Sequence, residues 1–130
     1  VLKPGGRFVA EFVGRNNIFS GVINAAGAAE TPAGTFELDG KAKQGEKVDF
    51  VVAADVVSLS VTRPVARNVF TAQLISEEFV GSMVTLFFEA AGGMEVKVQV
   101  QERLLEGIPR EPGQQLFLSF DPSHAHVLKG

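Results

Sequence analysis

Two segments of this chain carry nearly the same order of residue types, 51 positions apart. Gly14–Ile23 reads GRNNIFSGVI and Val65–Leu74 reads VARNVFTAQL. In each, a polar pair with an asparagine precedes an apolar pair, a hydroxyl residue and a small residue. A looser match joins Gly45–Ser58 to Gly113–His126, where a glycine and two polar residues lead into an apolar run and a small or acidic break. The preserved order predicts two copies of one small unit.

Short runs in which apolar residues recur every second position predict strands in both halves. A hairpin or loop is expected at Ala25–Ala33, where glycine and proline interrupt any helix, and a helical turn only at Arg103–Gly107. The expected strands are Phe8–Phe12, Ile18–Ile23, Thr35–Leu38, Val48–Ala53, Val56–Val61, Asn68–Ser76, Met83–Ala90, Glu95–Gln101, Gln115–Phe120 and Ala125–Leu128.

We therefore predict an all-β fold of two similar small β-barrels in tandem, with residues 1–60 in the first and residues 61–130 in the second. A five-strand unit that closes on itself leaves few bare strand edges, which favours this arrangement. A single irregular β-sandwich is the alternative that the strand pattern allows.

The composition excludes several kinds of chemistry. The chain has no cysteine, which removes disulfides, thiolate nucleophiles and cysteine-ligated metals and fits a reducing compartment, with the cytoplasm as the default. The phosphate-loop pattern GxxxxGK[ST] is absent, so this segment is not expected to hydrolyse ATP or to be an enzyme. Because the chain starts at Val1 without a methionine, we expect it to be a fragment of a longer protein.

Nucleic acid and membrane are not expected partners of the chain itself. The net charge is only −3, and the 11 phenylalanines are assigned to core packing and not to base stacking. No apolar run approaches the roughly 20 residues that a membrane-spanning helix needs.

Two stretches of the sequence resemble a known family. The opening FVAEFVGRNNIFSGVI and the central ADVVSLSVTRP followed by VARNVF are similar to the TOBE region that follows the nucleotide-binding domain in ABC importers. The central stretch points toward the molybdate/tungstate type, which is related to Mop domains. The resemblance covers almost the whole chain, and it implies two tandem OB-like barrels.

The resemblance also implies a candidate ligand site. In the Mop-related branch a Ser-Ala-Arg-Asn corner helps to hold an oxyanion, together with a Lys-Ala-Ser-like segment near the end. Here Val65 stands in place of the serine, and Asp121 stands about where the lysine would be. A carboxylate about 4 Å from a dianion costs roughly 8 kcal/mol at an effective dielectric constant of about 20, so we expect weak oxyanion binding or none. The implied site residues are Val65, Ala66, Arg67, Asn68 and Ser123.

A purely structural explanation exists for the same corner. Asn68 can hydrogen-bond nearby backbone while Arg67 points into solvent, since asparagine favours corners for its own reasons. Asn16–Asn17 is the matching corner of the first half, and we expect it to be structural.

Other polar residues give weaker signals. His124 and His126 share a face if they lie on a strand, but no third ligand is evident nearby, so no metal site is predicted. The glutamates Glu77, Glu78 and Glu102 are expected to be solvated, because nothing places a second group opposite them for acid/base catalysis.

The resemblance implies a non-catalytic C-terminal domain that regulates and dimerises the ATP-binding subunit of an ABC importer. Its ligand, where there is one, is an oxyanion such as molybdate or tungstate, and ATP binds only in the parent chain. The implied partners are a second copy, the ABC ATPase domain and the transmembrane permease, at the cytoplasmic face of the cell membrane. The alternatives are a free-standing protein that stores an oxyanion and the TOBE domain of a sulfate, iron, polyamine or sugar importer.

Overall fold

The computed structural model describes residues 16–40 and 42–128, and it contains strands and 3-10 turns but no α-helix in that part of the chain. The strands are β1 (Asn16–Ile23), β2 (Ala29–Thr31), β3 (Gly34–Phe36), β4 (Lys47–Ala53), β5 (Ser58–Ser60), β6 (Asn68–Val80), β7 (Met83–Ala90), β8 (Met94–Gln101), β9 (Gln115–Phe120) and β10 (His126–Leu128). The 3-10 turns are Ala54–Val56, Ala91–Gly93, Glu102–Leu105 and Pro122–His124. The all-β prediction is confirmed. The described residues form no helix that is long and apolar enough to span a membrane.

Two curled five-stranded sheets repeat one plan. The strand orders are β10-β4-β1-β2-β3 and β5-β9-β6-β7-β8, and all neighbouring strands are antiparallel. The strands β1, β2, β3 and β4 of the first sheet correspond to β6, β7, β8 and β9 of the second, and β10 in the first corresponds to β5 in the second. The registers agree, because Asn17 pairs with Val52 in the first sheet as Asn68 pairs with Phe120 in the second. The duplication predicted from the sequence is therefore present in the fold.

The two halves exchange their last strands. β5 precedes the predicted division at residue 60, yet it pairs with β9 of the second sheet. β10 ends the described part of the second half, yet it pairs with β4 of the first sheet. Each sheet thus takes one edge strand from the other half, through the equivalent 3-10 turns Ala54–Val56 and Pro122–His124. The division into residues 1–60 and 61–130 stays a prediction about the duplicated sequence.

Several elements differ from their predicted bounds. β6 extends beyond Ser76 to Val80, because a β-bulge after Leu74 shifts the register and lets β6 follow β7 past the end of β9. β2 lies within the segment predicted as a hairpin or loop, and the expected helical turn is the 3-10 turn Glu102–Leu105. The predicted strand Phe8–Phe12 lies outside the described residues.

The two sheets share one hydrophobic core. Phenylalanine rings from both halves meet there, with ring centroids 5.1–6.4 Å apart and mostly edge-to-face. Phe19 and Phe36 are central, since each contacts the four other rings of the cluster. The cluster consists of Phe19, Phe36, Phe50, Phe70 and Phe120. Because these rings come from both sheets, the packing of each half depends on the other.

Candidate functional site

Asn68, the first residue of β6, is fully buried and bonds the backbone of the other half. Its Oδ1 accepts a hydrogen bond from the Glu37 N–H at 2.7 Å, and its Nδ2 donates to the Glu37 carbonyl at 2.9 Å. The side-chain amide therefore pairs with the Glu37 backbone, just after the end of β3, as a neighbouring strand would. The expectation that Asn68 bonds nearby backbone is wrong, because Glu37 lies 31 positions away.

Asn17 makes the equivalent pair of hydrogen bonds from the first half to the second. Its Oδ1 accepts from the Lys97 N–H at 2.7 Å, and its Nδ2 donates to the Lys97 carbonyl at 2.8 Å. Lys97 belongs to β8, which lies at the edge of the second sheet as β3 does in the first. We call the Asn17–Lys97 and Asn68–Glu37 pairs the asparagine clasps. The expected structural role of the first corner is thus visible in its contacts.

Arg67 is held by an ion pair at the surface. Its Nη2 lies 2.6 Å from Glu37 Oε1, and its Nε donates to the same oxygen at 3.2 Å. The side chains of Arg67 and Glu37 are 64% and 50% exposed. The hydrogen bond and charge of Glu37 raise the pKa of Arg67, and the carboxylates of Asp121 and Asp39 add smaller contributions. An incoming dianion would have to compete with these carboxylates for the guanidinium.

Ser123 directs its donors toward Asp121. Asp121 Oδ1 accepts hydrogen bonds from the Ser123 N–H at 2.9 Å and the Ser123 hydroxyl at 2.7 Å, and so caps the 3-10 turn Pro122–His124. These bonds stabilise the carboxylate and lower the pKa of Asp121, with further help from the charges of His124 and Arg67. Ser123 is therefore engaged by its own chain.

Val65 and Ala66 lie in the exposed loop between β5 and β6, and the side chain of Val65 is fully exposed. Neither side chain offers a polar atom to a ligand. The structure thus brings Arg67, Asn68 and Ser123 to one corner, next to Asp121, and leaves the other two predicted site residues in solvent.

Glu37 and Asp39 are the charged groups of this corner that sequence reasoning misses. They follow β3, and no motif marks them. Arg67 and Glu37 line one side of a shallow cavity of about 520 Å³ whose other walls are mainly small residues and leucine. The pairing of β3 with the β6 corner becomes apparent only in three dimensions.

His124 and His126 line a different, smaller cavity of about 160 Å³, together with Asn16 and Ala53. Among residues 16–40 and 42–128, no group of three or more histidine, cysteine or acidic residues is placed to hold a metal ion. The two imidazoles therefore lack a third ligand of these types in the described chain.

Comparisons with known proteins give a family and a fold. The family model described as TOBE domain matches residues 46–128. The spermidine/putrescine import ATP-binding protein PotA of Frankia alni is 28% identical over 97% of this chain and 31% of its own length. The PotA protein of Roseobacter denitrificans is 25% identical over 97% of this chain and 37% of its own length. The chain thus spans about a third of each of these curated relatives.

A solved structure has a similar fold. The cytoplasmic molybdate-binding protein ModG, with molybdate bound, superposes with a TM-score of 0.75 over 85% of this chain and 94% of its own, at 18% identity. At this identity the likeness concerns the fold, and the OB-like prediction is confirmed.

Proposed function

Because this chain belongs to the TOBE domain family, we propose that it is the regulatory domain of the ATP-binding subunit of an ABC importer. The predicted resemblance is confirmed, and the TOBE domain is non-catalytic, which agrees with the prediction that this segment is not itself an enzyme. Both curated relatives are import ATP-binding proteins, and each is about three times as long as this chain. ATP binding is accordingly assigned to the remainder of the parent protein.

The proposed home is a polyamine importer and not a molybdate or tungstate importer. Spermidine/putrescine import is the activity named for both relatives. The partners in this proposal are a second copy of the domain, the ATPase domain and the membrane permease, at the cytoplasmic face of the membrane. The shared core supports a role as one rigid unit that restrains the ATPase by its position.

The Arg67 corner supports weak oxyanion binding or none, and this single observation carries the choice against a molybdate or tungstate importer. Both ends of the Asn68 amide are bonded to Glu37, and the Arg67 guanidinium is paired with the Glu37 carboxylate. Asp121 adds a second carboxylate close enough to raise the pKa of Arg67. A molybdate or tungstate ion would therefore meet negative charge and donors that are already engaged.

Calorimetric titration of the chain with molybdate and with tungstate tests this part of the proposal. We expect no sub-micromolar binding at neutral pH and low salt. The double variant Glu37→Gln and Asp121→Asn removes both carboxylates with little change of shape, and it should bind more tightly than the wild type. Sub-micromolar binding by the wild type would show that the corner is an oxyanion site after all.

Polyamine uptake tests the assignment to an importer. In cells that carry the parent gene, deletion of the segment encoding residues 1–130 should change the rate or the regulation of spermidine uptake, with the ATPase domain still produced. Unchanged uptake in a strain without a second importer would contradict the assignment.

A free-standing oxyanion-binding storage protein is the second candidate. The ModG likeness favours it, because that likeness covers 94% of a molybdate-binding protein. The reading frame upstream of Val1 separates the two candidates. A phosphate loop and an ABC signature there support the importer, whereas a start codon immediately before Val1 supports storage.

A further inference from the structure

The outer face of the second sheet carries a groove that the proposed function does not use. Where β6 bulges after Leu74, Ile75 turns outward and is 49% exposed. A groove of about 480 Å³ lies beside it, on the outer face of β6, β7 and β8. Its walls include Ile75, Ser76, Phe87, Glu89 and Glu95.

Two carboxylates stand side by side at one end of this groove, with Lys97 two residues along β8 from one of them. Glu89 of β7 and Glu95 of β8 are cross-strand neighbours, and both are exposed. Within the described part of the chain, neither carboxylate makes a hydrogen bond or an ion pair, since the two ion pairs found there involve other side chains. Like charges directly opposite each other in a sheet repel. A positive group bound between them would relieve this repulsion.

Next to the two carboxylates, the floor of the groove is apolar. Phe87 pairs with Ser76 on one side and with Lys97 on the other, so its ring shares the outer face with the two carboxylates. Phe87 is half-buried and Ile75 is 49% exposed, so both side chains contribute apolar surface to the groove. The groove is therefore amphipathic, with an acidic end and an apolar floor.

We propose that this groove docks a protein segment that presents a lysine or arginine next to an apolar side chain. The cationic head lies between Glu89 and Glu95, and the apolar side chain lies on Phe87 and Ile75. Charge complementarity selects a basic segment, and the apolar floor selects a side chain and not a bare ion. The inference goes beyond the proposed function, because it gives this domain a protein-docking surface away from the Arg67 corner.

Site-specific photo-crosslinking in the parent protein tests the proposal. Phe87→p-benzoylphenylalanine places the reactive ketone on the groove floor in the cells that express the full-length protein. We expect adducts with one protein segment that contains a lysine or arginine within a few residues of the cross-linked position. Adding Glu89→Lys and Glu95→Lys should lower the adduct yield by about tenfold or more, because both charges then repel the segment.

Two controls separate docking from general exposure. Phe117→p-benzoylphenylalanine lies on β9 of the same sheet, where Arg63 covers the ring, and it should not give the same adduct. Glu102→Lys changes an exposed glutamate just after β8 and should leave the yield unchanged. Thermal unfolding of each variant shows whether the domain is still folded.

Several outcomes would overturn the proposal. These are no adduct, adducts with lipid only, adducts with segments that lack a basic residue, and a yield that ignores the reversed charges. Binding of free spermidine to the groove, with no protein adduct, would also overturn it. If the parent is not an importer subunit, the proposed function fails while a charge-dependent protein adduct still supports the docking groove.

Discussion

The two asparagine clasps have the same hydrogen bonds but different surroundings. Asn17 and Asn68 each use one amide oxygen and one amide nitrogen on the backbone of the opposite half, at 2.7–2.9 Å. Both side chains are buried, and their strands have equivalent registers. The buried part of the corner is therefore common to both copies of the duplicated unit.

The exposed residues around the two clasps differ in charge. Beside Asn68, the chain places Arg67, Glu37 and Asp121; Arg67 forms an ion pair with Glu37, and the charge of Asp121 adds a smaller attraction to Arg67. The equivalent positions beside Asn17 are Asn16, Lys97 and Ala53. The clasp therefore serves the fold in both halves, while the exposed residues around it differ in charge and in the groups that they offer to a ligand. In this chain the charged corner is paired internally.

Two substitutions in the phenylalanine cluster test whether the equivalent halves share one core, and they should cost the most stability. Phe19→Ala and Phe70→Ala should each lower the free energy of unfolding by about 3–5 kcal/mol, because each removes a buried ring from the same cluster. Urea denaturation measures both losses. In each variant the unfolding should remain a single transition, and a separate transition for one half would contradict the shared core.

Substitutions of the two clasp asparagines should give the next largest loss of stability. Asn17→Ala and Asn68→Ala each leave a backbone N–H and a carbonyl without their partners, so each should cost about 2–4 kcal/mol in the free energy of unfolding. Asn24 is a control, because it makes three side-chain hydrogen bonds, one more than either clasp asparagine, but is only half-buried, beside a turn. Asn24→Ala should cost only about 1 kcal/mol. Equal losses of stability in Asn24→Ala and Asn68→Ala would contradict a special role of the clasps.

The ion pair of the charged corner should matter less. Arg67→Ala should lower stability slightly at low salt and by less at high salt, because the exposed pair with Glu37 is screened by solvent and ions. Arg110→Ala is the comparison, since its pair with Glu77 is only 27% and 23% exposed. Thermal unfolding at two salt concentrations should show the greater loss for Arg110→Ala.

The smallest effect concerns the pH dependence of one corner. The hydrogen bonds from Ser123 lower the pKa of Asp121, so the stability that this carboxylate contributes is present above its unfolded pKa. That contribution is lost as the pH falls through the lowered folded pKa. NMR titration of the Asp121 carboxyl should show the low value, and Ser123→Ala should raise it toward normal. An unchanged pKa in Ser123→Ala would contradict this cause.

The sequence predicts the duplication and most strands, because both are local patterns. The match of Gly45–Ser58 to Gly113–His126 places β4 over β9 and β5 over β10, as the sheets do. The sequence does not predict the exchange of β5 and β10. A three-residue strand has too few side chains to specify its partner strand. Alternation of apolar and polar residues indicates which face of a strand is buried, but not which sheet the strand joins.

The corner is predictable in position and not in contacts. The repeated asparagine marks both clasps, but its partners Glu37 and Lys97 are 31 and 80 positions away from Asn68 and Asn17. The same limit applies to Arg67, whose pairing with Glu37 depends on the packing of one half against the other. Charge counting at Asp121 already indicates an unfavourable oxyanion site, since that argument needs only the sign of the residue.

Native-state hydrogen exchange tests whether both clasps lock the two halves into one cooperative unit. The backbone N–H groups of Glu37 and Lys97 both donate to an asparagine side chain of the opposite half. We predict that the two amides exchange with the same free energy, equal to that of global unfolding. Exchange of either amide through a local opening of markedly lower free energy would contradict the claim.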